Sequence, residues 1–113
     1  MKNQSTTIKK ENPFTKFNIN TDCMVSDMYE KYDTPNGAVV YGIKLDETEL
    51  IDHTGNSRYG FVIMLDDNNF LFRDIIGITP TRIVTQNRKD IQQEVLQRNQ
   101  IKSYYKIETS EYY

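Results

Sequence analysis

Residues 59–76 read YGFVIMLDDNNFLFRDII, two apolar runs separated by four polar residues. The first run, residues 59–65, is apolar on both faces of a strand, which is typical of a central position in a sheet. Residues 66–69, Asp-Asp-Asn-Asn, have the composition of a turn, and residues 70–76 return as the partner strand. The pattern therefore predicts an antiparallel hairpin at the centre of the fold.

Further strands are expected on both sides of this hairpin. In residues 38–45, Val39, Tyr41, Ile43 and Leu45 recur at every second position, the period of a half-buried strand. Residues 14–19 and 82–85 each have room for a short strand. The tyrosine-containing tail, residues 103–113, is expected either to add an edge strand or to remain partly free.

Two segments have a helical spacing of apolar residues. In residues 21–32 the side chains at i, i+3, i+4 and i+7 are Val25, Met28, Tyr29 and Tyr32. A strand in this segment would place Ser26 and Glu30 on the apolar face, so a helix is favoured. Residues 87–102 carry a thin stripe that includes Ile91, Val95 and Leu96, with acids early and bases late as the helix dipole favours.

These elements predict an α+β fold, an antiparallel sheet of about four strands packed against one or two helices. The 113 residues suffice for one domain, residues 14–113, preceded by a polar arm, residues 1–13, that we expect to be flexible. No apolar run approaches the roughly 20 residues that span a bilayer. Because the first twenty residues lack the apolar segment of a secretory signal, we expect a cytoplasmic protein with no membrane partner.

The sequence offers little for catalysis, metals or cofactors. It contains one histidine, His53, and one cysteine, Cys23, so the four nitrogen or sulfur ligands of a structural zinc site are not available. Its five glycines are scattered singly and form no phosphate-binding loop. We therefore expect a protein without catalytic residues, metal or cofactor. A Cys23–His53 pair, or a hydrolase that uses His53 with acids such as Asp46 or Glu49, is the remaining catalytic alternative.

Charge is distributed unevenly along the chain. Residues 21–74 carry eleven acidic and four basic side chains, a net charge of −7, whereas residues 1–20 and 75–113 have net charges of +3 and +2. An acidic surface of this kind favours docking on a basic surface of a protein, such as the nucleic-acid-binding groove of an enzyme. The predicted partner-binding residues are Asp46, Glu47, Glu49, Asp52, Asp66 and Asp67.

A second hypothesis assigns nucleic-acid binding, or a regulatory accessory role, to the predicted C-terminal helix. Its basic residues Arg88, Lys89, Arg98 and Lys102 would contact phosphates. A pI near 5.4 and a net charge of −2 disfavour this hypothesis, because non-specific binding draws on many phosphate contacts. Both hypotheses compete with a plain solvated surface that keeps a small protein soluble.

The composition indicates an A/T-rich gene, since Asn, Ile, Lys, Tyr and Phe outnumber Ala, Gly, Pro and Arg by 44 to 14. In size, acidity and coding bias the chain resembles the small inhibitors with which phages and mobile elements block host restriction or CRISPR effectors. That resemblance rests on general character and on no motif, and it implies no particular fold. The expected function is a non-catalytic protein-binding inhibitor.

Overall fold

The computed structural model of the protein describes residues 14–26, 33–53 and 57–111. These residues form seven β-strands, one α-helix and one turn of 3₁₀-helix. In chain order the elements are β1 (Phe14–Asn18), β2 (Val39–Leu45), α1 (Glu47–His53), β3 (Phe61–Leu65), β4 (Phe70–Ile78), β5 (Arg82–Gln86), β6 (Gln93–Gln97), the 3₁₀ turn η1 (Arg98–Gln100) and β7 (Ile101–Glu111).

The strands form one antiparallel sheet in the order β1-β2-β7-β3-β4-β5-β6. The predicted α+β fold is therefore wrong, because the described residues are mostly β and their helix is only seven residues long. The predicted strands in residues 14–19, 38–45 and 82–85 and the hairpin of residues 59–76 are confirmed as β1, β2, β5 and β3–β4.

The helix predicted for residues 87–102 does not exist. Ile91 has φ of 58°, a left-handed conformation that no α-helix contains, and β6 then pairs along its whole length with β5. Two consecutive strands, β6 and β7, with η1 between them, occupy the rest of the segment. The apolar stripe that suggested a helix was too thin to outweigh the backbone hydrogen bonds that a neighbouring strand offers.

The other predicted helix, residues 21–32, is also absent from residues 21–26, the part of it that the structure describes. Residues 21–26 form a turn and irregular backbone, and residues 27–32 lie outside the described residues. The predicted flexible arm, residues 1–13, lies outside them as well. The tail is neither at an edge nor free over residues 103–111, because β7 lies between β2 and β3 and pairs with both.

The sheet has apolar side chains on both faces. Along β3, Phe61 and Ile63 point to one face and Val62 and Met64 to the other, as alternation in a strand requires. The first face carries a cluster that includes Leu50 of α1, and the second carries a cluster covered by β1 and the segment around Met24. We name them the inner cluster and the outer cluster, respectively.

The inner cluster lies inside a curl of the sheet. In a flat sheet β6 and β7 would be four strand spacings apart, about 19 Å. Only η1 separates Gln97 from Ile101, and four residue steps of extended chain reach at most about 14 Å. The strands from β7 to β6 must therefore curve toward each other. Leu96 of β6 accordingly packs against the same cluster as Leu65 and Ile101.

Candidate functional site

All six carboxylates predicted to bind a partner are exposed and lie at one end of the sheet. Leu45 of β2 and Ile63 of β3 both pair with Tyr104, so β2 and β3 run in the same direction and end together. The helix α1 follows β2 at this end, and residues 66–69 follow β3. Two strand spacings, about 10 Å, separate the strands from which these segments extend. We call this part of the molecule the acidic end.

The acidic end contains a helix whose start is fixed by its own acids. Asp46 is the N-cap of α1, and its Oδ1 accepts hydrogen bonds from the Thr48 hydroxyl at 2.7 Å and the Glu49 amide at 2.8 Å. Glu49 returns the contact, since its Oε1 accepts from the Asp46 amide at 3.0 Å. This reciprocal pair is a capping box. The hydrogen bond from Thr48, and then that from the Glu49 amide, lower the pKa of Asp46 below its usual 3.8.

Arg98 of η1 links α1 to the connection between β4 and β5. Its guanidinium lies 3.3 Å from a carboxylate oxygen of Glu47 and donates to the Thr79 carbonyl at 2.8 Å. The Arg98 side chain is only 12% exposed, whereas Glu47 is 72% exposed. Burial raises the pKa of the nearby Tyr104 phenol, and Arg98 opposes that effect to a smaller extent. Arg98 therefore has a structural role, because it connects two segments of the protein. From the sequence alone, Arg98 is considered only as a nucleic-acid contact.

The β3–β4 turn is held by its own side chains. The Asp67 carboxylate accepts hydrogen bonds from the backbone amide and the side-chain amide of Asn69, at 3.0 and 3.1 Å. Asn68 adopts φ of 68°, and its side-chain oxygen accepts from Lys102 Nζ at 3.2 Å. The Asp66 amide donates to the Gln100 carbonyl at 3.1 Å, so the turn is tied to η1. The Asp66 carboxylate makes no hydrogen bond or ion pair with the described residues.

A cleft of about 410 Å³ opens between the β3–β4 turn and β6. Leu65 and Leu96 form its apolar part, and Asp66, Asp67 and Gln100 supply its polar groups. Neither leucine was predicted to belong to a site. No signal in the sequence could have brought them together, because their proximity follows from the curl of the sheet between β7 and β6.

The alternative set of basic residues does not share one surface element. Arg88 and Lys89 lie in the β5–β6 connection, Arg98 in η1, and Lys102 in β7. Arg88 donates to both carboxylate oxygens of Asp74 at 2.9 Å and to the Arg58 carbonyl at 2.8 Å. Lys89 and Lys102 are exposed. The two arginines of the set are thus engaged in contacts within the protein.

The two residues considered first for catalysis, Cys23 and His53, lie on segments that pack against opposite faces of the sheet. Cys23 packs against the outer cluster, where its thiol donates to the Phe72 carbonyl at 3.2 Å, while the Arg73 guanidinium approaches its sulfur at 3.1 Å. His53 ends α1, the helix that contributes Leu50 to the inner cluster. Across residues 14–26, 33–53 and 57–111, no three His, Cys, Asp or Glu side chains converge as ligands for a metal ion.

Comparisons with known proteins add no functional assignment. The chain matches no protein-family model, and no curated protein or solved structure is significantly similar to it. Within the described part of the chain, no helix has the length and apolar character needed to span a membrane.

Proposed function

We propose that the protein is a non-catalytic binding module whose acidic end docks on a basic surface of a partner protein. The observation that supports the proposal is the placement of six exposed carboxylates, from two separate segments, at the same end of the sheet. Complementary charge accelerates encounter and sets the orientation of docking even where it adds little affinity. The role of these six residues as a contact surface stays a prediction.

The partner class that this surface suits is a cytoplasmic protein with a nucleic-acid-binding groove, because such grooves are lined with lysine and arginine. Occupation of the groove would exclude the nucleic acid and so inhibit the partner. A restriction or CRISPR effector is a partner of this class, in keeping with the coding bias and small size of the chain. Inhibition by occupation needs no catalytic residue and no cofactor.

The internal contacts decide which carboxylates are suitable for a test. Asp46 and Glu49 cap α1, Glu47 pairs with Arg98, and Asp67 holds the turn, so reversing their charge would also disturb the structure. Asp52 and Asp66 are exposed and take no part in the α1 cap, the Arg98 pair or the Asp67 hydrogen bonds, although Asp52 makes a contact of its own. We therefore choose the double variant Asp52→Lys/Asp66→Lys.

The experiment is affinity capture from a bacterial lysate at several salt concentrations, with identification of the co-eluting protein. We expect the wild type to retain a basic protein that elutes as salt rises, and the double variant to lose it. The control is Glu108→Lys, an exposed acid on β7 toward the end of the strand that pairs with the start of β2. Retention by the double variant equal to that of the wild type would contradict the proposal.

A filter-binding titration addresses the nucleic-acid alternative. The proposed function predicts no retention of labelled DNA or RNA at moderate salt. Retention that falls steeply with salt, and that is lost in Lys89→Ala/Lys102→Ala, would replace the proposal with direct nucleic-acid binding. Melting curves of every variant establish that the fold is kept.

A further inference from the structure

We infer that the cleft between the β3–β4 turn and β6 receives one arginine or lysine side chain of the partner. This inference rests on the proposed function and names the chemistry by which the acidic end would recognise its partner. The cleft, about 410 Å³, falls within the roughly 300–1,000 Å³ typical of clefts that take small ligands.

The lining of the cleft matches the two parts of a long basic side chain. Leu65 and Leu96, both half-buried, offer an apolar surface to the aliphatic stem. Asp66 and Asp67 offer carboxylate oxygens to the charged head, and Gln100 adds an amide. Lysine and arginine characteristically bury the stem and keep the head at a polar rim. A purely acidic peptide would be repelled, and a purely apolar one would leave the carboxylates without partners.

Asp66 is the carboxylate that is available to a ligand. Asp67 already accepts two hydrogen bonds from Asn69, whereas Asp66 makes no hydrogen bond or ion pair with the described residues. The turn that carries Asp66 is tied to η1 through the Gln100 carbonyl, so the carboxylate is presented on a fixed backbone. A hydrogen bond between a guanidinium and a preorganised carboxylate is of the stronger, charge-assisted kind.

Lys102, a lysine that contacts the β3–β4 turn, does not occupy the cleft. Lys102 extends from β7 to the Asn68 side chain. Lys102 is the residue left unpaired by the β-bulge between the Leu65–Ile101 and Met64–Ser103 pairs, and it does not belong to the lining of the cleft. Within the described part of the chain, no lysine or arginine lines the cleft.

The test uses a defined probe, the tripeptide Gly-Arg-Gly with blocked termini, titrated into the ¹⁵N- and methyl-labelled protein. We expect saturable shifts of the methyl groups of Leu65 and Leu96 and of the amides of residues 66–69. Gly-citrulline-Gly, which has nearly the same shape but no charge, should bind at least tenfold more weakly. Saturable binding of the citrulline peptide with equal affinity would overturn the inference.

Matched variants separate the cleft from general electrostatic attraction. Asp66→Asn, which keeps the size of the side chain, should weaken the arginine peptide about tenfold. Asp52→Asn removes the same charge from α1 and should change the affinity less than twofold. Equal weakening by both variants, or shifts confined to α1, would overturn the inference.

The outcomes of the two experiments are distinguishable. Lysate capture that depends on Asp52 and Asp66 together, without saturable shifts at Leu65 and Leu96, would refute the cleft while leaving the docking function in place. Saturable peptide binding in the cleft, without capture of any basic protein, would refute the docking function while leaving the cleft as a basic-side-chain site.

Discussion

Replacement of Gly60 by alanine should be among the most damaging small substitutions in this sheet. Gly60 immediately precedes β3 and has φ of +95°, a conformation that side chains disfavour. An added Cβ would lie 2.5 Å from Met24 Cε and 3.1 Å from the Arg73 carbonyl oxygen. Met24 is fully buried in the outer cluster, and the carbonyl belongs to the backbone of β4. Met24 Cε is the end of a flexible side chain and can shift at modest cost, whereas the Arg73 carbonyl is fixed in the sheet where Arg73 pairs with Phe61.

The size of the effect follows from three contributions. The left-handed backbone costs a residue with a side chain about 1–2 kcal/mol. Overpacking against a buried neighbour costs about 1–3 kcal/mol, and the flexible Met24 side chain keeps this cost near the lower end. Alanine also lowers the conformational entropy of the unfolded chain, which stabilises the folded state by about 0.4–1 kcal/mol. The net loss in the free energy of unfolding is about 2 kcal/mol, a substantial share of the roughly 5–15 kcal/mol of an ordinary domain.

The matched control is the same substitution at Gly77 in β4. Its added Cβ would meet Val84 at 3.6 Å, an ordinary contact, and its φ lies outside the positive range. Urea denaturation followed by circular dichroism should give Gly77→Ala a stability within about 1 kcal/mol of the wild type. A loss below about 1 kcal/mol for Gly60→Ala, or equal losses for the two variants, would refute the reasoning.

Three further predictions concern individual side chains. Arg88→Met should lower the free energy of unfolding by about 3 kcal/mol, because it removes a partner from the partly buried Asp74. The exposed control Lys89→Met should change it by less than about 0.5 kcal/mol, and urea denaturation measures both values. The lowered pKa of Asp46 stabilises the fold above the unfolded value, and that contribution is lost as the pH falls through the folded pKa. The difference in melting temperature between wild type and Asp46→Ala should therefore shrink from pH 6 to pH 2, and a constant difference would contradict this. The raised pKa of Tyr104 predicts that stability falls as the pH rises above about 10, and Tyr104→Phe should lose less stability than the wild type in alkaline melts.

The strands that could be predicted are those in which the pattern of apolar residues along the sequence is typical of a strand. In β2 the alternation correctly indicated a strand, but the structure buries Val40 and leaves Val39, Tyr41 and Ile43 half-buried. In β3 apolar residues on both faces correctly indicated a central strand. The four-residue turn of residues 66–69 fixed the partner of β3. Local pattern was sufficient for the hairpin because β3 and β4 are adjacent in sequence and the first three residues of β3 are all buried.

The parts that could not be predicted depend on contacts between distant segments. Leu96 is the one residue of β6 that packs against the inner cluster, and the other four residues of the strand are exposed. The apolar pattern of β6 therefore resembles that of a polar helix. The helix α1 did carry a local signal, Asp46 followed three residues later by Glu49, but seven residues leave little room for a periodic stripe. For the site, the six carboxylates could be listed from the sequence, whereas the cleft between Leu65 and Leu96 required the curved sheet.

The position of β7 between β2 and β3 has a consequence for biosynthesis. The ribosome makes residues 101–111 after every other strand described, yet these residues supply the hydrogen-bonding partner of both β2 and β3. Until they emerge, two nascent edges remain open to pairing with other chains. Assembly of this sheet must therefore wait until translation has passed residue 111, and a message truncated before Ile101 would yield an aggregation-prone product rather than a smaller working protein.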